Sequence, residues 1–398
     1  MRDAPSILFI NRVYPPGSGA TGEMLADLAE ALASQGWKVT VLATAVAVAA
    51  APDSCPPGKV RVVRVGGLFS RRSLLFRAAS YVAIIPALLC RALVLPRADF
   101  VVTLTDPPML ASIGPVVAFL KRSSSIHWAQ DIYPEIAEEL GVLARGGAPA
   151  NLLRAISSWA LRRYDRVVSI GRCMSSRLVA RKIDPSRIIT IPNWSAPDSI
   201  RPMAHGDNAF RKMQGWDGRF VVTYSGNMGL AHEFDTILDA AGQLQDENVL
   251  FVFIGDGPRR AEVERKATAL RLANVRFLPP QPREKLNESL SAADVHLVTM
   301  RRELCGLVVP SKFYGVMAAG RPGIFVGPAE SEVARFIEEQ RVGRVIAVGN
   351  SRDLVDAIVG YRDSPAGWAA ECDQARRIGE SANIDVAVAA FLKMLQAI

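Results

Sequence analysis

Along the chain, short apolar runs alternate with longer stretches in which apolar positions recur every three or four residues. Ile7–Ile10 reads as a strand, Pro15–Gly22 as a turn, and Glu23–Ser34 carries Leu25, Leu28, Ala29 and Leu32 at helical spacing. Gly36 ends that helix and Lys38–Ala43 reads as the next strand. Val60–Val65, Phe100–Leu104, Ser125–Gln130, Arg166–Ile170 and Arg187–Ile191 repeat the strand signal. A polar, proline-bearing stretch over Pro192–Gly218 interrupts the pattern and reads as an interdomain connection. A second series follows, with strands Arg219–Tyr224, Val249–Ile254, Val275–Leu278, Val295–Val298 and Gly323–Val326, and helices Phe234–Leu244 and Arg259–Leu272. Such alternation predicts an α/β fold, two doubly wound parallel sheets with helices on both faces. Two such halves would face a central cleft, and ligands of open α/β sheets sit beyond the carboxyl ends of the strands. The expected domains are 1–205 and 206–379, with a last helix at about 380–398.

The 398 residues are 49% hydrophobic and 22% charged, which excludes a disordered, collagenous or coiled-coil chain. Five scattered cysteines without a CxxC pair argue against a disulfide framework or a structural zinc site. With four histidines, a histidine-built metal site is not expected either. The net charge of +8 is uneven. Residues 1–200 hold 23 Lys+Arg against 14 Asp+Glu, whereas residues 201–398 hold 24 against 25. The positive excess therefore lies in the first half and calls for an anionic partner.

Apolar neighbours narrow that choice. Between Leu68 and Leu120, the uncharged runs Ala78–Cys90 and Pro107–Leu120 are bordered by Arg71, Arg72, Arg77, Arg91, Arg97, Lys121 and Arg122. Neither run reaches the ~20 apolar residues of a spanning helix. Their composition suits a segment lying in the headgroup region of an anionic membrane surface. Buried helices of a large α/β core are the alternative. Nucleic acid is not expected, because stacking aromatics are missing from the basic stretch. Ile7–Ile10 is too short for a signal-peptide core, so export is not expected.

Several strand-to-helix turns carry candidate chemistry. Gly17, Gly19, Thr21 and Gly22 lie between the first strand and first helix, where backbone amides can approach a phosphate. Gly226, Asn227 and Gly229 hold the equivalent place after Tyr224, and Gly255, Asp256 and Gly257 follow the next strand. Ser311 and Lys312 open a helix that runs to Ala319. Ser311 is a candidate cap, and free amides, helix dipole and ammonium would converge on a diphosphate there. A capped surface helix with an exposed lysine is the competing reading. Asp131 follows a first-half strand and is a candidate acid, base or hydroxyl ligand, or else a helix cap. His127, just before it, reads as structural. Glu303, with Arg301 and Arg302 beside it, is a further cleft candidate.

Taken in order, YPPGSGATGEMLADLAEALASQGWKVTVL, HWAQDIYPEIAEELGVL, YSGNMG, FIGDGP and VPSKFYGVMAAGRPGIFVG resemble family 4 glycosyltransferases of the GT-B fold, in particular their bacterial WbuB-like branch of polysaccharide and O-antigen enzymes. The resemblance spans essentially the whole chain. It implies transfer of a sugar, an N-acetylhexosamine or deoxy-amino sugar, from a UDP-sugar with retention and without an obligatory metal or other cofactor. It also implies that a C-terminal helix, about Ile384–Ile398, crosses back to the first domain, which binds acceptor. By this resemblance Gly17–Gly22 lie near donor phosphate and acceptor, and Asp131 near the reacting hydroxyl. Gly226 and Asn227 lie under the diphosphate, and Gly255, Asp256 and Gly257 near the nucleotide. Ser311 and Lys312 match a PSK motif, and Glu332 a recurrent acidic position.

This sequence departs from the family pattern in two places. The glutamate pair common in the family falls on Leu307 and Gly315, with Glu303 as a replacement for the first. The usual Arg and Lys clamp after YSGNMG is absent; His232 and Glu233 stand there, and Lys312, with Arg301 or Arg302, is expected to take over. Combined with the basic apolar segment, the expected acceptor is a polyprenyl-diphosphate glycan, met by a peripheral protein on the cytoplasmic face of the inner membrane. A UDP-sugar 2-epimerase of the same fold and a membrane-docked non-catalytic subunit are the rival readings.

Overall fold

A computed structural model describes residues 4–16, 19–45, 58–66, 74–194 and 200–398. Gly17, and the start of the basic apolar segment through Arg71 and Arg72, lie outside the described residues. The chain divides into two compact units. One comprises Met1–Pro192, Gly306–Val308 and Ala387–Ile398, the other Asn193–Cys305 and Val309–Val386.

The first unit carries β1 (Ser6–Ile10), β2 (Lys38–Thr44), β3 (Arg61–Val65), β4 (Phe100–Thr103), β5 (Ser124–Ala129), β6 (Arg166–Ser169) and β7 (Ile188–Thr190). They form one parallel sheet in the order β3-β2-β1-β4-β5-β6-β7. A parallel sheet is covered on both faces, which is why its central strand is a continuous apolar run: Ile7, Leu8, Phe9 and Ile10 are all fully buried. On one face Leu8, Ile10 and Val101 meet Ile84, Leu88 and Ala92 of helix Leu74–Val94, together with Leu110, Ile113 and Val117. On the other, Phe9 and Trp128 meet Phe391 of helix Ile384–Gln396, with ring centroids 6.4 and 6.1 Å apart.

Much of the segment expected at a headgroup region is thus core. Ile84, Leu88, Ala92, Ile113, Val117 and Ala118 point into the unit, while Leu93, Val94, Phe119 and Leu120 are exposed. Among the described residues no helix is long and apolar enough to cross a membrane.

The second unit carries β8 (Phe220–Ser225), β9 (Val249–Ile254), β10 (Val275–Leu278), β11 (Val295–Thr299), β12 (Gly323–Val326) and β13 (Gly343–Ile346). The sheet is parallel in the order β10-β9-β8-β11-β12-β13. The sequence reading does not contain β13. It is an edge strand of one half-solvated residue pattern with Arg344 in its middle, so its apolar signal is weak. The second unit also begins at Asn193, ahead of the expected boundary at 206. The reason is local bonding: Arg201 N–H donates to Asn287 Oδ1 at 2.7 Å, and the Met203 carbonyl accepts from the buried Arg321 at 2.7 Å.

Candidate functional site

In each sheet the strand order reverses beside the first strand of its series, between β1 and β4 and between β8 and β11. Such switch points leave an open crevice at the carboxyl edge. Charged side chains collect at both.

In the second unit the crevice holds Lys312, the first residue of helix Lys312–Ala318. Tyr224 near the end of β8 donates its hydroxyl hydrogen to the Asn227 carbonyl at 2.7 Å, leaving its lone pair to accept from Lys312 Nζ at 2.6 Å. His232 Nδ1 lies 2.7 Å from the Thr299 carbonyl, which can only accept, so Nδ1 carries the hydrogen and Nε2 presents a lone pair. That lone pair faces Lys312 Nζ at 3.4 Å. The ammonium also stands 4.0 Å over the Tyr224 ring. Among the described residues no carboxylate pairs with it.

Burial without a counter-charge disfavours the charged form. It pushes Lys312 from its ordinary 10.5 down to about 7. His232 is pushed down to about 3, by burial first and then by Lys312, which keeps it neutral. The lysine is therefore a charge held in place by two neutral partners. Such an ammonium is suited to an anionic ligand.

The glycines beside it are held by positive φ (Gly226, φ +136) and, at Gly255 and Gly257, by close backbone approach. A Cβ at Gly226 would lie 3.4 Å from Lys312 Nζ. Gly255 has φ +143, and a Cβ there would sit 2.0 Å from the Gly226 carbonyl oxygen; at Gly257, φ +147, it would sit 2.6 Å from that of Met228. The two turns are stitched together by Gly226 N–H to Ile254 O (2.9 Å) and Met228 N–H to Asp256 O (2.7 Å). Gly255→Ala is expected to lower the thermal midpoint by roughly 2–12 °C. Backbone strain of ~1–3 kcal/mol at ~2–4 °C per kcal/mol sets that scale. A melting curve matching the parent's would refute this.

Two expectations need correction. Ser311 occupies the cap position but is itself helical (φ −64, ψ −22), and its hydroxyl accepts no amide. The first-turn amides are also not free: Phe313 N–H donates to Pro310 O (3.4 Å) and Tyr314 N–H to Ser311 O (3.2 Å). A turn that starts at Pro310 uses the donors a capped start would leave open, so the anion-seeking group here is the Lys312 ammonium. Glu303 is exposed, and its carboxylate is paired with Arg301 at 3.5 Å. Glu332 opens helix Glu332–Gln340 beyond β12, behind Ser331, whose hydroxyl accepts from Ala334 N–H at 3.3 Å. Asn227 and Asp256 are exposed. The Asp256 carboxylate accepts from its neighbour Gly257 N–H at 2.8 Å. Gly229 is buried, and a Cβ there would lie 2.9 Å from Asn227 Nδ2.

The missing family glutamates also have a structural account. Leu307 is 3% exposed, and a Cβ at Gly315 would lie 3.7 Å from Ile200 and 3.8 Å from Leu290, so a carboxylate at Gly315 would enter apolar surroundings.

In the first unit, Arg12 after β1 grips Asp106 after β4 with two bonds of 2.7 Å. Asp131 after β5 pairs as an isolated bridge with Val308 and is not a helix cap. Burial, then the negative charge of Asp106, raises it from 3.8 to about 7. Gly19 and Gly22 let helix Ala20–Ser34 close on Val13: a Cβ at Gly22 would lie 2.8 Å from Val13 Cγ1. Thr21 is half-buried in that first turn. His127 is structural, buried, neutral, and 3.1 Å from Thr103 Oγ1.

The structure thus gathers Lys312 with Gly226, Gly255 and Gly257 in the second unit, and places Asp131 near Asp106 in the first. Tyr224, His232, Arg12 and Asp106 were not among the sequence candidates. For Arg12 and Asp106 the available signal was a charge directly following an apolar strand. For Tyr224 the partner is remote in sequence; His232 is marked in the sequence only as standing where the family's clamp is absent, and its partner Lys312 is 80 residues away. Among the described residues no group of three or more His, Cys, Asp or Glu is placed to hold a metal ion.

Comparison with known proteins adds the following. Residues 19–194 match the model of a glycosyl transferase 4-like domain and residues 219–363 that of glycosyl transferases group 1. The chain is 32% identical over 247 residues to the probable glycosyltransferase WbjE of Pseudomonas aeruginosa, covering 62% of either chain. It is 27% identical over 348 residues to the putative colanic acid biosynthesis glycosyl transferase WcaI of Escherichia coli, covering 82% of this chain and 84% of that one. HepE of Anabaena, solved in complex with UDP, superposes with a TM-score of 0.74 at 14% identity over 99% of this chain and 100% of that one.

Proposed function

The chain belongs to the glycosyl transferases described by these two models and has the GT-B fold, and on that premise we propose that it moves a sugar from a UDP-sugar to a lipid-linked glycan. The observation that carries this reading is Lys312, a partly buried ammonium without a carboxylate beside a glycine-lined strand end. A diphosphate leaving group is an anion that such an ammonium can pair with. As the glycosidic bond breaks, negative charge builds on that group, and a preorganised cation stabilises it without reorganisation. Tyr224 and His232 hold the ammonium so that its remaining hydrogen is available to the phosphate.

The acceptor hydroxyl is assigned to Asp131 of the first unit, whose raised pKa suits proton handling near neutral pH. Attack comes from the face the diphosphate leaves, giving retention, and the ionised Asp131 carboxylate draws off the hydroxyl proton and passes it to the departing phosphate. No resident metal or other cofactor is invoked. The transferred sugar is an N-acetylhexosamine or deoxy-amino sugar, and the acceptor a polyprenyl-diphosphate glycan. The protein would work as a peripheral component of the cytoplasmic face of the inner membrane. UDP in the HepE structure and the polysaccharide role in the WcaI name support donor and setting by analogy.

The test is a thermal-shift panel of nucleotide sugars followed by transfer of labelled sugar to a lipid extract. A UDP-specific stabilisation and a labelled lipid product are expected. Conversion of the UDP-sugar to its epimer, with no lipid product, or an absence of any nucleotide effect, would overturn the proposal.

A further inference from the structure

Helix Ala148–Leu161 of the first unit carries, besides its buried side, an apolar stripe that faces outward. Its inward side buries Ala150, Ala160 and Leu161 together with Ser157, which donates to the Tyr133 carbonyl at 3.0 Å, while Ser158 Oγ accepts from Arg181 at 2.9 Å. Arg154 turns to Glu138 and Glu135. Its outward side carries Leu152 (62% exposed), Ala155, Ile156 (37%) and Trp159 (38%), at the spacing of one helical stripe. Arg163 lies over the Trp159 ring at 4.5 Å, and Arg162 is exposed beside it. Residues 148–163 contain no Asp or Glu.

The geometry points to this stripe as a lipid-contacting surface, seated in the headgroup layer of an anionic membrane. It rests on the membrane reading above and extends it to a helix outside the 68–120 segment. Two observations select lipid as the occupant. First, the stripe ends in arginines with no acidic residue, which matches anionic headgroups, and an arginine-stacked tryptophan suits the boundary between apolar and wet layers. A second copy packed on the same patch would instead bring identical arginine clusters face to face. Second, the helix shares its side of the sheet with the helices bearing Leu93, Val94, Phe119 and Leu120. Tyr164, just past it, bonds Thr103 and Ala111, and Thr103 lies on the same side of β4 as Val101. Exposed apolar residues therefore recur on successive helices of one face.

Trp159 is its own reporter, because Trp128, Trp194 and Trp216 are buried and Trp37 and Trp368 half-buried. The full chain is titrated with phosphatidylcholine vesicles with and without phosphatidylglycerol. A blue shift with the anionic vesicles is expected, largely removed by Trp159→Phe. Ile156→Glu should weaken partitioning about tenfold or more and leave the UDP-induced thermal shift unchanged. If the parent and Ile156→Glu partition equally and Trp159 emission does not move, the inference fails while membrane docking elsewhere stands. If the parent binds neither vesicle, both fail. If instead the parent is a dimer that Ile156→Glu splits, the stripe is a contact between copies and the inference is overturned.

Discussion

Lys312→Met is expected to lower the turnover of sugar transfer by about 10²–10³-fold, the scale for removing one preorganised donor from a developing anion. It should also abolish the thermal stabilisation by UDP. The free variant should melt no lower than the parent. Lys312 has its folded pKa depressed to about 7 from an ordinary 10.5. Between those values the unfolded chain binds the extra proton, so stability rises with pH across that window, and near pH 7 and below the buried charge is a cost. Methionine keeps the length and removes the cost. A free variant as stable as the parent, yet blind to UDP, separates a ligand-binding lysine from a structural one. Full turnover with intact UDP stabilisation would refute the diphosphate assignment. In the parent, UDP affinity should weaken as pH rises through about 7, because the free site loses its charge there.

Asp131→Asn is expected to reduce turnover by about 10²–10⁴-fold, the range for a positioned acid or base. UDP affinity should be nearly unchanged, since Asp131 and Lys312 belong to different units. Here the sign of the stability effect is the reverse. The folded pKa is raised from 3.8 to about 7, so between those values the native state holds the extra proton and stability falls as pH rises. Above pH 7 the whole cost of an ionised Asp131 beside Asp106 is present, and the amide relieves it. The variant should therefore melt higher than the parent at pH 8 and the two should converge toward pH 4. In the parent, turnover should climb through about pH 7 as Asp131 ionises. A variant that keeps its turnover, or melts lower at pH 8, would remove Asp131 from the reaction.

Both predictions follow from charges that the fold holds without local compensation. Natural sequences place such groups where they serve a site rather than the core. Arg321 is the contrast: it is 6% exposed, but the carbonyls of Ala293, Ser291 and Met203 receive its hydrogens, so it locks the start of the second unit.

The sequence alone determined the architecture and most of the strand ends. Runs such as Ile7–Ile10 and Val249–Ile254 are buried on both faces, and continuous burial leaves a continuous apolar signature. It also carried the glycine turns after β8 and β9, where positive φ or close backbone approach disfavours a Cβ. Edge strand β13 escaped because half its surface is wet. Only the tertiary structure decided what the charged residues do. Lys312 meets Tyr224 and His232 across 88 and 80 residues of chain, Arg12 meets Asp106 across 94, and Ser311 loses its cap to a turn begun one residue earlier. Burial, counter-charge and hydrogen-bond partner set a group's chemistry, and all three are properties of neighbours that are distant in sequence. The outward stripe of helix Ala148–Leu161 makes the same point: periodicity shows that a helix has an apolar stripe, but only its packing shows which way the stripe faces.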